Sequence, residues 1–303
     1  MRRGAPRRLK IVLFSREWEL PRLSGDYELE VTEASKSVLV ELMTILKSYA
    51  DALVLIGGWA PYFLLEKHKS PTSDFRHVGS VDIDLVIDPQ IIDEERYATI
   101  TKMLLDRGYR PSPQIFYQFE RKIVSSLDQK EYVVGVDFLT PKPEKGKGRK
   151  HRHRLVQPDL RARTLEGAEI ALKHNWECSL SGILPEDGGT TVTLRVADIV
   201  SSLALKGIAL GERYAEKDAY DIYVLLSYYR DGPRDVGDEL KPYLSDKLLQ
   251  KGLSSIESRF RSPEAEGPSW VANFLIQTNP ELIKRTKMDA YMTVREFFEQ
   301  LEQ

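Results

Sequence analysis

Two short stretches decide the fold, LVLIGGWA at residues 53–60 and SVDIDLVI at residues 80–87. In the first, four apolar residues end at a pair of glycines, and a helical pattern begins directly after them. That order favours a buried strand, a tight turn and a helix. In the second, apolar residues alternate with Asp82 and Asp84, which is the period-two pattern of a strand. The two stretches therefore predict strands of an α/β fold, the first of which runs into a helix.

The two aspartates are the first candidate functional residues. Because side chains at positions i and i+2 of a strand share one face, Asp82 and Asp84 place two carboxylates side by side. Such carboxylates repel each other unless a cation lies between them, and Mg²⁺ accepts few protein carboxylates together with phosphate oxygens. The alternative interpretation of an isolated Asp-x-Asp is a solvated strand face or a turn.

Asp137 is the third candidate carboxylate. It lies near the end of an apolar strand predicted for residues 131–139, and it can join Asp82 and Asp84 if the two strands are neighbours. Three carboxylates that hold one or two metal ions serve in-line attack on a phosphate. We therefore predict a Mg²⁺ (or Mn²⁺) site at these three aspartates, where Asp137 is a metal ligand or the base for an attacking hydroxyl.

The glycine pair, Gly57 and Gly58, predicts a second part of the same site. Glycine permits a tight turn and a close approach of the backbone to a ligand. The helix that begins after Gly58 offers free N–H groups and the positive end of its dipole to a phosphate. The pair therefore predicts a site for a nucleoside triphosphate (NTP), and a plain strand-to-helix turn is the alternative.

The order of these elements resembles the polymerase-β-type nucleotidyltransferase superfamily, in which a Gly-Gly or Gly-Ser turn precedes an Asp-x-Asp strand and a third Asp follows. Gly58 and Asp82 are 24 positions apart, which is longer than the commonest spacing of that superfamily. The wider spacing resembles the AbiEii/AbiGii-type branch, where Arg and Ser or Thr often precede the Asp pair. This resemblance implies that Arg76 and Ser80 bind the nucleotide.

A second group of residues, in the C-terminal half, resembles the same branch. A predicted amphipathic helix carries Lys206, and Lys217-Asp218 follows with Asp221 three positions further on, so that the two acids share a helix face. The branch has a helix lysine followed by an Arg- or Lys-Asp-x-x-Asp segment. The resemblance implies that Lys206 contacts phosphate, that Asp218 supports the site and that Asp221 is a structural acid paired with Arg213 or Lys217. Salt bridges on a helix surface are the alternative.

Composition limits the class of protein. The chain has 303 residues, a formal net charge of −2 and a single cysteine, Cys178. This charge gives no global sign of nucleic-acid binding, and one thiol cannot form an internal disulfide. No apolar run approaches the roughly 20 residues that span a bilayer, and the N-terminus lacks the apolar stretch of a secretory signal. We therefore expect a cytoplasmic protein with no membrane partner.

The predicted fold class is α/β (α+β), a nucleotidyltransferase-like mixed sheet with flanking helices and a mainly helical C-terminal half. The predicted regions are a basic N-terminal segment (1–30), a nucleotidyltransferase core (31–160) and a mainly helical region that contributes to the site (161–303). The predicted elements outside the two opening stretches are helices at 31–50 and 94–107, strands at 115–124, 131–139, 168–178 and 190–196, and a charged loop at 141–154.

A basic run within residues 142–154 follows the third aspartate. It contains seven lysines and arginines and one acid, Glu144. Clustered Lys and Arg predict contacts with RNA phosphates, and a solvated loop is the alternative.

The function that these residues predict is transfer of a nucleoside monophosphate from an NTP to an acceptor hydroxyl, with release of pyrophosphate. The AbiEii-type resemblance implies an RNA acceptor such as a tRNA 3′ end, and a cognate antitoxin as partner; a protein hydroxyl is the second option. Two other functions stay open: a catalytically silent nucleotide-binding module that acts through protein contacts, and a metal-dependent phosphodiesterase.

Overall fold

The computed structural model describes residues 23–92, 98–143, 153–186, 188–214, 216–275 and 278–303. The strands of these ranges are β1 (Leu53–Ile56), β2 (Ile83–Ile87), β3 (Arg110–Pro111), β4 (Gln118–Val124), β5 (Glu131–Pro141), β6 (His153–Gln157), β7 (Leu160–Leu165), β8 (Asn175–Ile183) and β9 (Gly189–Ala197). The helices are α1 (Leu29–Ile45), α2 (Trp59–His68), α3 (Ile100–Asp106), α4 (Ala168–Lys173), α5 (Ile199–Glu212), α6 (Glu216–Tyr228), α7 (Pro233–Leu240), α8 (Lys247–Arg259), α9 (Glu266–Phe274) and α10 (Pro280–Glu302).

The strands form one mixed sheet. Its order is β3-β4-β5-β2-β1-β9-β8, and the β6–β7 hairpin joins it through the pairing of β7 with β5. Strand β2 is parallel to β5 and antiparallel to β1, while β9 is parallel to β1. All four residues of β1 are buried, as expected for a continuous apolar strand covered on both faces. The predicted mixed sheet followed by a helical C-terminal half is confirmed.

Two apolar clusters hold the fold together. In the first, α1 packs on the sheet, with Leu39 of the helix and Phe138 of β5 fully buried. In the second, helices α5 to α10 pack on one another and on α2, around residues such as Leu225 and Phe297. Burial of each such side chain stabilises the fold by about 1.5–3 kcal/mol. Helix α2 joins the two clusters, so the segment after the glycine pair connects the sheet to the C-terminal helices.

Several predicted boundaries were wrong. The strand predicted for residues 168–178 is a helix, α4, followed by β8. Gly167 has a φ of 89° and begins α4, and Ala168, Ile170 and Ala171 are buried on its inner face. The helix predicted for residues 31–50 ends at Ile45, and a 3₁₀ helix follows.

The second predicted helix and the charged loop are also shorter than predicted. The helix predicted for residues 94–107 begins at Ile100, because the Thr99 hydroxyl accepts a hydrogen bond from the Lys102 amide and caps it; residues 93–97 lie outside the described residues. The first residue of the loop predicted for residues 141–154 belongs to β5, and its last two residues belong to β6.

The sheet contains strands from both sides of residue 160, since β9 lies directly beside β1. The predicted division of the chain at that position stays a prediction. Within the described ranges, no helix is both long enough and apolar enough to cross a membrane.

Candidate functional site

Strand pairing brings the three aspartates (Asp82, Asp84 and Asp137) to one place. Strands β2 and β5 are parallel, and Asp84 lies directly opposite Asp137. Asp82 precedes Asp84 by two positions and faces the same side, where Gly135 of β5 leaves room for it. A Cβ atom on Gly135 would lie 2.8 Å from Oδ1 of Asp82. The lack of a side chain at Gly135 therefore lets the Asp82 carboxylate lie against β5.

The three aspartates line a cavity of about 540 Å³. Among the predicted site residues, it also contains Gly57, Gly58, Ser80, Lys206 and Asp218. Arg76 is the exception: its side chain is exposed, and it lines a different cavity with Trp59 and Tyr62. The structure thus brings together all the predicted site residues except Arg76.

The glycine turn (Gly57 and Gly58) follows β1, whose last residue, Ile56, pairs with Asp84. Gly57 has a φ of +71°, a backbone conformation that L side chains rarely adopt. A Cβ atom there would lie 2.1 Å from Oδ2 of Asp84, and one on Gly58 would lie 2.8 Å from the Ser80 hydroxyl. Because both glycines lie against candidate site residues, Asp84 and Ser80, the turn and the carboxylates form one unit, and α2 begins directly after it.

Replacement of Gly57 with alanine should lower activity and stability together. The new methyl group displaces the Asp84 carboxylate, and the positive φ adds a strain of about 1–2 kcal/mol. Gly188 is a matched control, because its φ is +100° and nothing lies within 4 Å of its Cβ position. Urea unfolding should show a similar backbone cost for Gly188→Ala in the free energy of unfolding. Kinetic assays should show that this variant keeps its activity. Equal activity of the two alanine variants would contradict the close contact between Gly57 and Asp84.

Lys206 is the central cation of the C-terminal half. Its Nζ lies 2.7 Å from Oδ1 of Asp218 and 2.7 Å from Oδ2 of Asp221, and all three side chains are buried. Burial opposes the charge on Lys206, but the two carboxylates outweigh it and raise the pKa of the ammonium above its usual value. The lysine therefore stays charged at the edge of the cavity that holds the three aspartates.

Asp221 pairs with one of the two cations that the resemblance implied for it. Arg213 pairs with Asp218 at 2.8 Å and not with Asp221, while Lys217 pairs with Asp221 as predicted. Burial lowers the pKa of Lys217 to about 8 despite the contact with Asp221. The cluster that the sequence could assign to a helix surface is a network in which two buried carboxylates contact the buried Lys206, the largely buried Lys217 and the exposed Arg213.

His77 is a buried member of this network that the sequence did not indicate. Its Nε2 lies 3.0 Å from Oδ1 of Asp221, and its Nδ1 accepts a hydrogen bond from the Gly79 amide. Nε2 therefore carries the proton and donates to Asp221. This contact fixes the segment that ends at Ser80 to helix α6. It joins residues 144 positions apart, and no local pattern distinguishes His77 from its polar neighbours.

Stability should fall as the pH drops from about 6.5 to about 4. Burial, together with the Lys217 charge, lowers the pKa of His77 from 6.5 to about 4, so the unfolded chain binds a proton that the folded chain does not. The contribution of neutral His77 to the free energy of unfolding is complete above pH 6.5 and decreases by up to about 3 kcal/mol toward pH 4. Urea unfolding at several pH values should show a shallower pH dependence for His77→Gln than for the wild type. Parallel curves would exclude this role of His77.

Gln118 is a second residue that the sequence analysis missed. It lies opposite Asp137 on β4, and its Nε2 donates to Oδ1 of Asp137 at 2.7 Å. Gln118 is buried, so this hydrogen bond fixes the carboxylate of Asp137 in one orientation. A polar residue at the start of β4 was the only signal for it.

The carboxylates can be compared with the needs of a metal ion. Among the described residues, no three His, Cys, Asp or Glu side chains form a ready-made metal site. Mg²⁺, however, keeps several waters and binds through one or two carboxylates plus substrate phosphates, so it needs no complete protein cage. Asp82 and Asp84 supply hard oxygen ligands on one wall of a cavity with room for a triphosphate. The residues present therefore fit Mg²⁺ or Mn²⁺ that binds together with a nucleotide.

A mixed sheet that places aspartates of two parallel strands beside a glycine turn is the arrangement of a nucleotidyltransferase. The model of the nucleotidyl transferase AbiEii toxin family, of the type IV toxin–antitoxin system, matches residues 42–284. The chain belongs to this family, and it is a toxin-type nucleotidyltransferase.

Solved structures with similarity to the chain include two nucleotidyltransferase-like proteins. One is an antigenic nucleotidyltransferase-like protein from Paracoccidioides brasiliensis, with 17% identity over 78% of this chain and 89% of that chain and a TM-score of 0.41. The other is MenT4, the nucleotidyltransferase toxin Rv2826c from Mycobacterium tuberculosis H37Rv, with 14% identity over 91% of this chain and 88% of that chain and a TM-score of 0.37. No significant match was found among curated proteins.

Proposed function

We propose that the protein transfers a nucleoside monophosphate from an NTP to an acceptor hydroxyl and releases pyrophosphate. The observation that carries this proposal is the convergence of the three aspartates, the glycine turn and Lys206 in one cavity. Acids that attract a divalent cation and a lysine that attracts phosphate together suit a metal-bound triphosphate. Membership of a family of toxin nucleotidyltransferases supports the same chemistry.

The three aspartates act on the metal and on the attacking hydroxyl. Asp82 and Asp84 hold Mg²⁺ or Mn²⁺, which neutralises charge on the phosphate under attack when it is bound. Asp137 completes the ligand set or accepts the proton of the acceptor hydroxyl. The amide of Gln118 donates to one oxygen of Asp137 and so orients the carboxylate for either role.

The NTP lies between the glycine turn and Lys206. Backbone N–H groups at the start of α2 and the Ser80 hydroxyl bind phosphate oxygens. An ammonium has three donors; Lys206 donates one hydrogen bond to Asp218 and forms an ion pair with Asp221, so donor capacity remains for a phosphate. Asp218 thereby orients the lysine. Arg76 lines a different cavity, so we assign it no contact with the phosphates.

RNA is the acceptor that we propose, with a tRNA 3′ end as an example, and a cognate antitoxin is the partner that limits the activity. The basic run of residues 142–154 follows β5, which carries Asp137. Lys142 already pairs with Glu166 at 2.7 Å, and residues 144–152 lie outside the described residues. His153 and Arg154 belong to β6, a strand of the sheet that carries the site.

One labelling experiment tests this function. The purified protein is incubated with Mg²⁺, with each of the α-³²P-labelled NTPs in turn, and with total cellular RNA and protein, and the products are then treated with ribonuclease or protease. Label that ribonuclease removes supports RNA as the acceptor, whereas label that only protease removes assigns a protein acceptor. NTP binding without pyrophosphate release would identify a silent nucleotide-binding module. RNA cleavage without use of NTP would identify a phosphodiesterase.

A further inference from the structure

An aromatic and cationic surface adjoins the active-site cavity on the side of β5. The rings of Tyr117 and His153 are stacked, with centroids 5.5 Å apart and an interplanar angle of 26°. The guanidinium carbon of Arg163 lies 5.7 Å from the centroid of the Tyr117 ring. Tyr117 and Arg163 line the same cavity as Asp82 and Asp84. We call Tyr117, His153 and Arg163 the aromatic platform; none of them has a role in the site described above.

The sheet places the platform on the same face as the catalytic carboxylates. Arg163 of β7 lies opposite Leu139 of β5, and Leu139 follows Asp137 by two positions, so the side chains of Arg163 and Asp137 share a face. His153 of β6 lies opposite Arg163 and faces the same way. Tyr117 directly precedes β4, which flanks β5.

The order of the strands separates two binding regions. The glycine turn follows β1, which lies on one side of β2, and the platform lies beyond β5 on the other side. The three aspartates lie between them: Asp84 on β2, Asp137 on β5 and Asp82 directly before β2. A transfer reaction needs two reactants that meet at the carboxylates, and the proposed NTP site uses the glycine turn and Lys206. The platform side is therefore the side from which an acceptor can reach the same carboxylates.

The platform has the chemistry of a surface for single-stranded nucleic acid. Unpaired bases stack on aromatic rings and on guanidinium planes, and arginine pairs with phosphate. His153 and Arg163 are exposed, and so is Arg161, which shares their face two positions before Arg163 on β7. Phe116, next to Tyr117, is 79% exposed, which adds a further aromatic ring at this edge. The faces of the rings and the arginine charges are thus accessible beside the cavity.

We propose that the aromatic platform stacks an unpaired nucleotide near the 3′ end of an RNA acceptor and so places the terminal hydroxyl at the three aspartates. This inference rests on the proposed function and adds the acceptor site to it. A polypeptide acceptor has no phosphates and few aromatic faces, so the surface suits it less well than it suits RNA.

RNA binding without any nucleotide tests the platform directly. The probe is a fluorescent RNA hairpin with a short unpaired 3′ tail, followed by anisotropy in the absence of NTP. Loss of one stacking contact should weaken the affinity of Tyr117→Ala about 10-fold, while Tyr117→Phe keeps the ring and should stay within about twofold of the wild type. In a plot of the logarithm of the association constant against the logarithm of the salt concentration, Arg163→Gln should reduce the magnitude of the slope by about one. A blunt, fully paired hairpin should bind the wild type and Tyr117→Ala alike.

Activity and folding controls separate this inference from the proposed function. The NTP affinity of each variant should match that of the wild type, which shows that the cavity is intact; His153→Ala, at an exposed position, serves where Tyr117→Ala unfolds. In transfer assays, Tyr117→Ala should raise the KM for the tailed RNA and leave the KM for NTP unchanged. Retention of RNA affinity and acceptor KM within about twofold by Tyr117→Ala, Arg163→Gln and His153→Ala would overturn the proposed role of the platform. Label on protein alone would overturn it as well.

If no acceptor is labelled but RNA binding depends on Tyr117 and Arg163, the RNA-binding role of the aromatic platform is supported and the proposed transfer reaction is excluded.

Discussion

Replacement of both Asp82 and Asp84 with asparagine should lower nucleotidyl transfer at least about 1,000-fold. Asparagine keeps the size of each side chain but removes the charge that we propose to hold the divalent cation, and a bound metal contributes several kcal/mol to stabilisation of the transition state. The fold should be retained, because the change also removes repulsion between two neighbouring carboxylates. Circular dichroism and urea unfolding check the fold, and steady-state transfer of α-labelled NMP checks the activity.

A control with the same change of charge makes the result specific. Asp74 and Asp106 are exposed and lie outside the lining of the cavity that contains Asp82 and Asp84, so Asp74→Asn with Asp106→Asn removes two negative charges elsewhere on the surface. This control should keep activity within about twofold, since surface substitutions of this kind change stability by at most about 0.5 kcal/mol. A double variant at Asp82 and Asp84 that transfers NMP at the rate of this control would exclude the proposed metal site.

Replacement of Lys206 with methionine should have the second largest effect, on stability as well as on activity. The change leaves the carboxylates of Asp218 and Asp221 buried without their shared cation. Removal of one partner from a buried ion pair costs about 3–5 kcal/mol in the free energy of unfolding. Affinity for NTP should fall too, because Lys206 is the proposed phosphate contact. Urea unfolding and equilibrium NTP binding measure the two effects.

Two further variants separate the loss of the buried ion pairs from the effect of a lysine-to-methionine change as such. The exposed Lys102→Met, a matched surface change, should alter the free energy of unfolding by at most about 0.5 kcal/mol. In a background with Asp218→Asn and Asp221→Asn, Lys206→Met should cost far less stability than in the wild type, because no buried carboxylate is left uncompensated. A Lys206→Met variant with wild-type stability and wild-type NTP affinity would rule out both roles of this lysine, the compensation of the buried carboxylates and the contact with phosphate.

The parts of the site that were predictable from the sequence depend on short-range patterns. Asp84 lies on β2 and Asp82 lies directly before it, and their spacing of two predicts their common face before any tertiary contact is known. The glycine turn is equally local, since the strand, the turn and the start of α2 occupy one continuous stretch. Asp137 required one further assumption, the pairing of β2 with β5, and the structure contains that pair.

The parts that were missed depend on contacts between distant segments. His77 contacts Asp221, which is 144 positions away in the sequence, and no residue pattern near His77 indicates a buried imidazole. Gly135 and Gln118 matter because of what they face, Asp82 and Asp137, and not because of their neighbours in sequence. Strand β9 beside β1 is a similar case, because an alternating strand does not specify its partner.

The position of the label in the NTP tests the central claim most directly. The wild-type protein is incubated with Mg²⁺, acceptor RNA and the same NTP labelled either at the α-phosphate or at the γ-phosphate. Attack on the α-phosphate with pyrophosphate as leaving group predicts that α label enters the RNA, that γ label appears only in pyrophosphate, and that the two products form in equal amounts. Transfer of γ label to the acceptor, or release of pyrophosphate with no α label in any macromolecule, would contradict the account.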